Sequence, residues 1–459
     1  MRASRRQFLK TCSFMSIAGA ASPFALNLAA ISAAAAAEAL PGYKAIVCLF
    51  FYGGNDHTNT FIPYDPASYG EYNASRASIA IPRDAALAAN ATGPVASQGG
   101  REFAFHPALT AFKTHWDAGR LAVVANVGPL IVPTTKAQYQ NRSVPLPPKL
   151  FSHNDQQSVW QAHRPVGEGA KIGWGGRIGD LLESQNANTL FTCISAGGNS
   201  VFLSGANALQ YQVGSSGPSA ITSISGTIYG SQGATASTAY RSLITGTSQN
   251  LFENELGVVT NRSIAANQQL SGALPPASTL PGIPANNSLA SQLSVVARII
   301  AARTTLGSSR QVFLVSIGGF DNHDILLVQH AQQLALVNAA VGAFYSWLVQ
   351  LGVENDVTLF TASDFGRTLT SNGDGSDHGW GSHHFVLGGS VTGREVYGTF
   401  SPTVFGSGVD IGQGNLLPGI SVDQYAANFA RWLGVSSTDL PLVLPNIVNF
   451  AALNPGFLP

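Results

Sequence analysis

The chain has 459 residues, enough to bury the core of one large α/β domain. Its 24 Lys and Arg balance 24 Asp and Glu, and four of the basic residues lie in the first ten, so the rest of the chain carries 20 against 24, a net charge of about −4. This balance offers no basic patch for nucleic acid.

The N-terminus has the pattern of an export signal. Two adjacent arginines precede a Phe-Leu pair in Ser4-Arg5-Arg6-Gln7-Phe8-Leu9-Lys10, and no charged residue follows from Thr11 to Ala37. Small residues then surround Glu38, as at a signal-peptidase site. We predict a twin-arginine signal peptide over residues 1–39, folded export by the twin-arginine machinery to the periplasm or outside, and no stable membrane span after cleavage. An uncleaved anchor on a non-catalytic envelope protein is the alternative.

Two cysteines follow the predicted signal. Cys48 and Cys193 each lie in an apolar run and are expected to be buried packing residues, not a disulfide. Cys12 precedes the apolar part of the signal, which argues against a lipoprotein anchor.

Short apolar runs alternate with amphipathic stretches along the chain. The runs that predict buried strands are Lys44–Phe51, Leu121–Val127, Thr189–Ser195, Gln311–Ile317, Asp356–Ala362 and His384–Gly388. The stretches that predict helices are Pro107–Ala118, Ser152–His163, Ser288–Thr305, Val328–Leu351 and Asp423–Leu433. This alternation favours an α/β three-layer sandwich with a mainly parallel central sheet over residues 40–459.

The segment from about residue 205 to residue 290 is expected to form an insertion or a cap over the site. Small residues dominate positions 214–236, and Pro, Ala and Asn dominate positions 271–287. Between them, Ser237 to Leu270 has a helical pattern.

Metal-binding residue types follow the predicted strands, where a parallel α/β sheet places its chemistry. Asp56 follows the first run, Asp321 and His323 follow the fourth, and Asp364 follows the fifth. Asp321 and His323 are two residues apart, so an extended segment points both to one side. Each position alone has an ordinary explanation as a turn or helix-cap residue.

Three histidines crowd into Asp377–His384, just before the sixth run: His378, His383 and His384. Together with the other strand ends they predict a site for one or two divalent metal ions, and this donor set suits zinc, manganese, iron or magnesium alike. The roles of His383 and His384 stay open. Arg367, three residues after Asp364, is expected to face a substrate anion.

Several motifs, taken in order, resemble the DUF1501 family of uncharacterised exported proteins, which is placed in the alkaline phosphatase and sulfatase superfamily. They are Gly54-Asn55-Asp56, Phe105-His106-Pro107-Ala108-Leu109, Ala118–Val124, Gly319-Phe320-Asp321-Asn322-His323, Asp364-Phe365-Gly366-Arg367-Thr368 and Asp377-His378-Gly379-Trp380. The resemblance spans residues of about 44 to 434 and implies an alkaline-phosphatase-like fold. It also implies the metal ligands Asp56, Asp321, His323, Asp364 and His378.

The resemblance implies a nucleophile at Ser152, in Phe151-Ser152-His153-Asn154-Asp155. Ser152 and Asp155 also form a helix-capping pair, which explains the motif equally well. The Pro-rich stretch from Val132 to Pro148 departs from the family pattern before it. The hydroxyls of Thr58, Thr134 and Thr135 therefore remain rivals, as does a protein without a nucleophile. Neither Cys48 nor Cys193 begins a Cys-x-Pro-x-Arg sequence, which excludes a formylglycine-type sulfatase.

Two functions are compatible with these residues. The first is an exported metal-dependent hydrolase that cleaves an anionic substrate, a phosphate or sulfate ester. The alternative is a non-catalytic, metal-containing envelope protein with a binding or assembly role, because a fold does not dictate a function. The sequence names neither the substrate nor the oligomeric state.

Overall fold

The computed structural model describes residues 40–162, 169–224, 233–450 and 456–459, so the predicted signal peptide lies outside the described residues. Within these residues, the strands are β1 (Lys44–Phe51), β2 (Phe61–Pro63), β3 (Ala91–Val95), β4 (Arg101–Phe105), β5 (Leu121–Gly128), β6 (Cys193–Ser195), β7 (Gln210–Gln212), β8 (Arg310–Ile317), β9 (Val357–Ser363), β10 (Arg367–Ser371), β11 (Ser376–His378), β12 (Ser382–Leu387), β13 (Val396–Tyr397) and β14 (Ile420–Ser421). The α-helices are α1 (His57–Thr60), α2 (Pro66–Arg76), α3 (Ala85–Ala89), α4 (Thr110–Asp117), α5 (Lys136–Asn141), α6 (His153–Ala162), α7 (Trp174–Leu182), α8 (Gly233–Thr245), α9 (Leu251–Ala273), α10 (Ser288–Ala301), α11 (Arg303–Leu306), α12 (Leu326–Gln350), α13 (Val422–Leu433) and α14 (Leu440–Val443).

The central sheet has the strand order β13-β5-β12-β9-β1-β8-β6-β7, and β14 also pairs with β5. β1 runs parallel to both neighbours, β8 and β9. β12 is antiparallel to β5 and β9. The predicted mainly parallel sheet is confirmed, and all six predicted runs contribute strands to it. β6 is shorter than predicted because Thr189–Phe191 forms a 3-10 turn.

The two faces of β1 meet different helices, since side chains alternate along a strand. Val47 and Leu49 belong to the main core, which also includes side chains of α4, α10 and α12. On the other face, the Phe50 ring lies 5.9 Å from the ring of Trp160 in α6. Helices thus cover both faces, which gives the three-layer α/β sandwich.

Both described cysteines pack as expected from the sequence. Cys48 and Cys193 are free and buried, and burial raises the pKa of each thiol. Neither thiol is suited to nucleophilic chemistry.

The region predicted as an insertion contains α8 and α9. The carboxyl half of α9 lies near the amino end of β6, where Asn188 Nδ2 donates to Gln269 Oε1 over 2.7 Å. The predicted site residues follow the carboxyl ends of β1, β8 and β9, at the opposite end of the sheet. This half of α9 therefore does not cover them. Among the described helices, we find none both long and apolar enough to span a membrane.

Six of the histidines that the structure describes are buried: His57, His106, His115, His330, His383 and His384. Burial lowers the pKa of His57, His106 and His384 to about 3, that of His115 and His330 to about 4, and that of His383 well below its usual range. The folded protein therefore holds these side chains as neutral imidazoles. His383 and His384, whose roles the sequence left open, belong to this buried set.

Candidate metal centre

The strand directions bring the predicted site residues to one rim of the sheet. Asp321 and His323 follow β8, and Asp364 follows β9, which is parallel to β8 across β1. β12 runs the opposite way, so His378, which precedes it, arrives at the same rim. α6 begins there with His153.

Four side chains form what we call the imidazole cluster: His153, Asp321, His323 and His378. Asp321 Oδ1 lies 2.9 Å from His323 Nε2 and 3.2 Å from His378 Nε2, and these two nitrogens are 3.0 Å apart. Asp321 Oδ2 lies 3.4 Å from His153 Nε2. The donor atoms of His153, Asp321 and His378 all lie within 4.8 Å of one another. One ion can thus reach the donors of His153, Asp321 and His378 together, and His323 Nε2 lies beside two of them.

Each ring has a hydrogen-bonding oxygen on its outer side, and for His378 this oxygen fixes the tautomer. His378 Nδ1 lies 2.7 Å from the Phe151 carbonyl oxygen, which can only accept, so Nδ1 carries the proton. His153 Nδ1 lies 2.6 Å from Asp364 Oδ2, and His323 Nδ1 lies 3.2 Å from Asp377 Oδ1, so each of these rings has a carboxylate on its outer side as well as Asp321 on its inner side. With the proton of each neutral imidazole on Nδ1, all three Nε2 lone pairs face inward, and this is the arrangement of metal-binding histidines.

The inward-facing donors fit a divalent cation. His153 Nε2 is buried and has no hydrogen-bond partner. Two imidazole lone pairs 3.0 Å apart beside a carboxylate repel one another unless a positive charge lies between them. Ligands of a tetrahedral ion with bonds of about 2.0–2.1 Å are roughly 3.3 Å apart. The distances of 2.9 to 3.4 Å between the Asp321 oxygens and the three Nε2 atoms match this spacing.

Arg367 positions Asp321. Its Nη1 donates to Asp321 Oδ1 over 2.7 Å and to the Gly53 carbonyl over 3.3 Å, while Nη2 donates to the Ser376 carbonyl. Burial acts to raise the pKa of Asp321, but the hydrogen bond and charge of Arg367 outweigh it and lower the pKa. Arg367 is buried and engaged by protein groups, so it does not face an open substrate site as the sequence predicted.

The end of β1 approaches this network closely. Gly53 has a φ of +114°, and a Cβ there would lie 2.5 Å from the backbone nitrogen of Asp321. Glycine is thus required both by the backbone conformation and by the close approach. Phe151 also has a positive φ, +71°, which is a strained conformation for an aromatic residue and presents its carbonyl to His378.

Asp364 touches the cluster from outside. It is fully buried, and its Oδ2 accepts from His153 Nδ1, from Gln157 Nε2 over 2.9 Å and from the Gly53 N–H over 3.1 Å. The hydrogen bond to Asp364 is the main cause of the raised pKa of His153, while burial lowers the pKa of His378. The structure therefore gives Asp364, implied as a ligand by the family resemblance, an orienting contact to a histidine.

Replacing Asp364 by Asn is expected to weaken metal binding about 10- to 100-fold, because His153 loses the carboxylate that orients its ring. Competition with a chelator at neutral pH measures the change. Asp377→Asn is the matched control: this carboxylate is half exposed and its bond to His323 is longer, so a smaller loss is expected. Equal affinity in Asp364→Asn and the unmodified protein would contradict this role.

Asp56 is not part of the cluster, contrary to the ligand set that the resemblance implies. Its Oδ1 accepts from the Asn59 N–H over 3.1 Å and caps α1. Its Oδ2 pairs with the buried guanidinium of Arg76, which also donates to the Thr368 carbonyl over 2.7 Å. Arg76 thus occupies the carboxylate that the family pattern offers to a metal.

Asp56→Asn is expected to lower the free energy of unfolding by about 3–5 kcal/mol, because it leaves the Arg76 charge buried without a partner. Metal content is expected to stay unchanged. Denaturant unfolding and elemental analysis measure the two quantities. Asp65→Asn is the control, since Asp65 also caps a helix but its ion pair with Arg101 is partly exposed and worth less than about 1 kcal/mol. A folded Asp56→Asn protein without metal would return Asp56 to the ligand set.

The candidate hydroxyls differ in their surroundings. Ser152 donates to Asp155 Oδ2 over 2.8 Å, and its two neighbours in the chain, Phe151 and His153, both contact the cluster. The rivals are engaged elsewhere: Thr58 lies 3.3 Å from His57 Nε2, Thr134 donates to the Val132 carbonyl, and Thr135 caps α5.

His153 and Asp377 were not among the site residues predicted from the sequence. His153 directly follows Ser152 at a predicted helix start, so the signal was present. One sequence cannot show, however, that a helix start meets two strand ends across the sheet.

The fold and the cluster define a three-layer α/β protein with a candidate metal centre at the rim of its sheet. The chain belongs to the family described as "Protein of unknown function (DUF1501)", whose model matches residues 43–439. No curated protein matches the sequence.

Several solved structures match this chain at low sequence identity. They include the lipoteichoic acid synthase LtaP from Listeria monocytogenes, at 8% identity and a TM-score of 0.35 over 88% of this chain and 76% of that chain. The PsFucS1 sulfatase from Pseudoalteromonas sp. matches at 11% identity and a TM-score of 0.36, over 91% of this chain and 72% of that chain. A TAB5 alkaline phosphatase mutant with Mg bound matches at 8% identity and a TM-score of 0.31, over 79% of this chain and 96% of that chain. Likeness at this level does not extend to function.

Proposed function

We propose that the protein is an exported metal-dependent hydrolase of phosphate or sulfate esters. One observation carries the proposal: three imidazole Nε2 atoms and one carboxylate converge, while each Nδ1–H is held from outside. A divalent ion bound there supplies Lewis acidity towards an anionic ester.

The donor set narrows the choice of ion. Three neutral imidazoles and one carboxylate leave a bound divalent ion with a net charge of about +1. Imidazole nitrogens suit zinc or iron, whereas magnesium and manganese prefer oxygen ligands. We therefore propose a single ion of the first group, held by His153, Asp321, His323 and His378.

Other groups of the chain position the metal ligands, bind the anion and attack the ester. Arg367 holds Asp321, while Asp364, Asp377 and the Phe151 carbonyl keep the imidazole protons on the outer side. The first-turn N–H groups of α6 favour an anion beside the cluster. We propose that Ser152 Oγ attacks the phosphorus or sulfur of the ester, with the Asp155 carboxylate accepting the hydroxyl proton. The bond to the alcohol oxygen breaks, and the alcohol leaves after taking up a proton. Water then hydrolyses the serine ester, which releases phosphate or sulfate and restores the hydroxyl.

Turnover of 4-nitrophenyl phosphate, bis(4-nitrophenyl) phosphate and 4-nitrophenyl sulfate by protein loaded with zinc or iron tests the proposal. Ser152→Ala is expected to lower kcat on the order of 10³-fold or more. Thr135→Ala is the matched control, since it removes another helix-capping hydroxyl at a cost of about 1 kcal/mol in stability. Metal-loaded protein without turnover contradicts the hydrolase, and full activity in Ser152→Ala contradicts this nucleophile.

A non-catalytic, metal-containing envelope protein for binding or assembly remains the second candidate. The engagement of Arg367 by protein groups favours it, because this cation is not available to a substrate. Stoichiometric metal together with no hydrolysis of any of these esters is the result it predicts. For both candidates we propose folded export, with a mature N-terminus near residues 38–40 measurable by mass spectrometry.

A further inference from the structure

A cavity of about 600 Å³ adjoins the imidazole cluster at Phe151. Most of its lining is apolar: Tyr139, Val144, Leu146, Pro147, Leu150 and Phe151. It is built largely by the Pro-rich stretch that departs from the family pattern. Prolines fix φ and carry no N–H, so Pro147 and its neighbour Pro148 stiffen this wall without adding donors.

The apolar wall is anchored on a buried cluster and is not a free loop. Tyr139, Leu146, Leu150 and Phe151 pack against the cluster of Leu130, Trp380 and Leu417. The rings of Tyr139 and Trp380 lie 5.7 Å apart. These four side chains are only half buried, so each keeps apolar surface towards the cavity.

Two cations border the same cavity. Arg142 ends α5 and is exposed. The Lys149 side chain is 69% exposed, and its Nζ lies 3.5 Å from Asp155 Oδ1. An apolar cavity with positive groups at its edge is complementary to a molecule that has one apolar part and one anionic part.

The cavity shares its wall with the candidate centre. Phe151 lines the cavity, and its carbonyl accepts from His378 Nδ1. Lys149 lines the cavity and pairs with Asp155, the carboxylate that accepts from Ser152. Two residues of the cavity lining thus contact the cluster and the Ser152–Asp155 pair directly, which places the cavity next to the position of an anionic group bound at the cluster.

We infer that this cavity binds the apolar alcohol part of the ester, so the substrate class is an amphipathic phosphate or sulfate ester with an alkyl or aryl group. This inference rests on the proposed function. The Val132–Pro148 stretch then serves as the specificity-determining wall of the site.

Calorimetric binding of octylphosphonate and methylphosphonate to the metal-loaded exported chain tests the inference, because the C–P bond of both ligands resists hydrolysis. Octylphosphonate is expected to bind roughly 30-fold more tightly, since its chain buries apolar surface. Leu146→Gln and Leu150→Gln are each expected to reduce this ratio about 10-fold. Arg142→Asn is expected to weaken both ligands about threefold and to leave the ratio unchanged.

Leu243→Gln is the control for non-specific binding, because Leu243 is 78% exposed on α8, outside the cavity. A ratio near one, a ratio unchanged in both cavity variants, or a ratio lost in Leu243→Gln would each overturn the inference. Turnover is read separately. A high ratio without ester hydrolysis contradicts the proposed hydrolase but supports the cavity as an amphiphile site, whereas hydrolysis with a ratio near one contradicts the cavity alone.

Discussion

The His378→Ala protein is expected to bind zinc at least about 100-fold more weakly than the unmodified protein. Binding of zinc to a four-ligand protein site is worth about 10–16 kcal/mol, so one ligand of four contributes roughly 3 kcal/mol. His378 Nε2 is one of four converging donors, and its Nδ1–H is already held by the Phe151 carbonyl. His323→Ala is expected to show a loss of the same order.

Chelator competition and elemental analysis measure this loss. His115→Gln is the matched control, because it removes a buried imidazole that lies in α4, outside the cluster. Zinc affinity is expected to be unchanged in the control. Unchanged affinity in His378→Ala and His323→Ala, with both proteins folded, would show that the cluster is not the metal site.

The metal-free protein is expected to lose most of its stability between pH 7 and pH 5. The six buried histidines have folded pKa values lowered to about 3 or 4, or well below the usual range, whereas an exposed histidine has a pKa of about 6.5. Between these values the unfolded chain binds protons that the folded chain excludes. Their stabilising contribution is therefore present above pH 6.5 and is lost as the pH falls towards the folded pKa values.

Each such histidine lowers the free energy of unfolding by roughly 2 kcal/mol between pH 7 and pH 5. Five or six together lower it by an amount comparable to the whole free energy of unfolding of a typical domain, ~5–15 kcal/mol. Denaturant unfolding of chelator-treated protein at pH 7.5, 6.5 and 5.5 measures this dependence. His115→Gln is expected to reduce the slope by about one proton, or 1.4 kcal/mol per pH unit. A free energy of unfolding that is flat across this range would contradict neutral burial of these side chains.

The main elements of the fold were predictable because the buried strands are continuous apolar runs. The apolar run Lys44–Phe51 predicts a strand that is buried on both faces, and it forms β1 between two parallel strands. The antiparallel direction of β12 was not predictable, since an apolar run carries no sign of its direction. The direction matters, because it brings His378 to the rim where the parallel strands end.

The site was predictable in part. Asp321, His323 and His378 were identified as candidates from residue type and position, and the structure brings them together. Asp56 was equally plausible in the sequence, but Arg76, twenty residues later, pairs with its carboxylate. Such competition for a buried charge depends on three-dimensional packing, which motifs do not encode. For the same reason, Arg367 pairs with Asp321, although its spacing suggested a substrate contact.

The most direct test is a crystal structure of the exported chain with anomalous diffraction measured at the zinc, iron and manganese absorption edges. We expect one strong peak about 2.0–2.2 Å from the Nε2 atoms of His153, His323 and His378 and from a carboxylate oxygen of Asp321. A well-ordered cluster without a peak, in crystals grown from protein exposed to all three metals, would contradict it. So would a peak coordinated by Asp56.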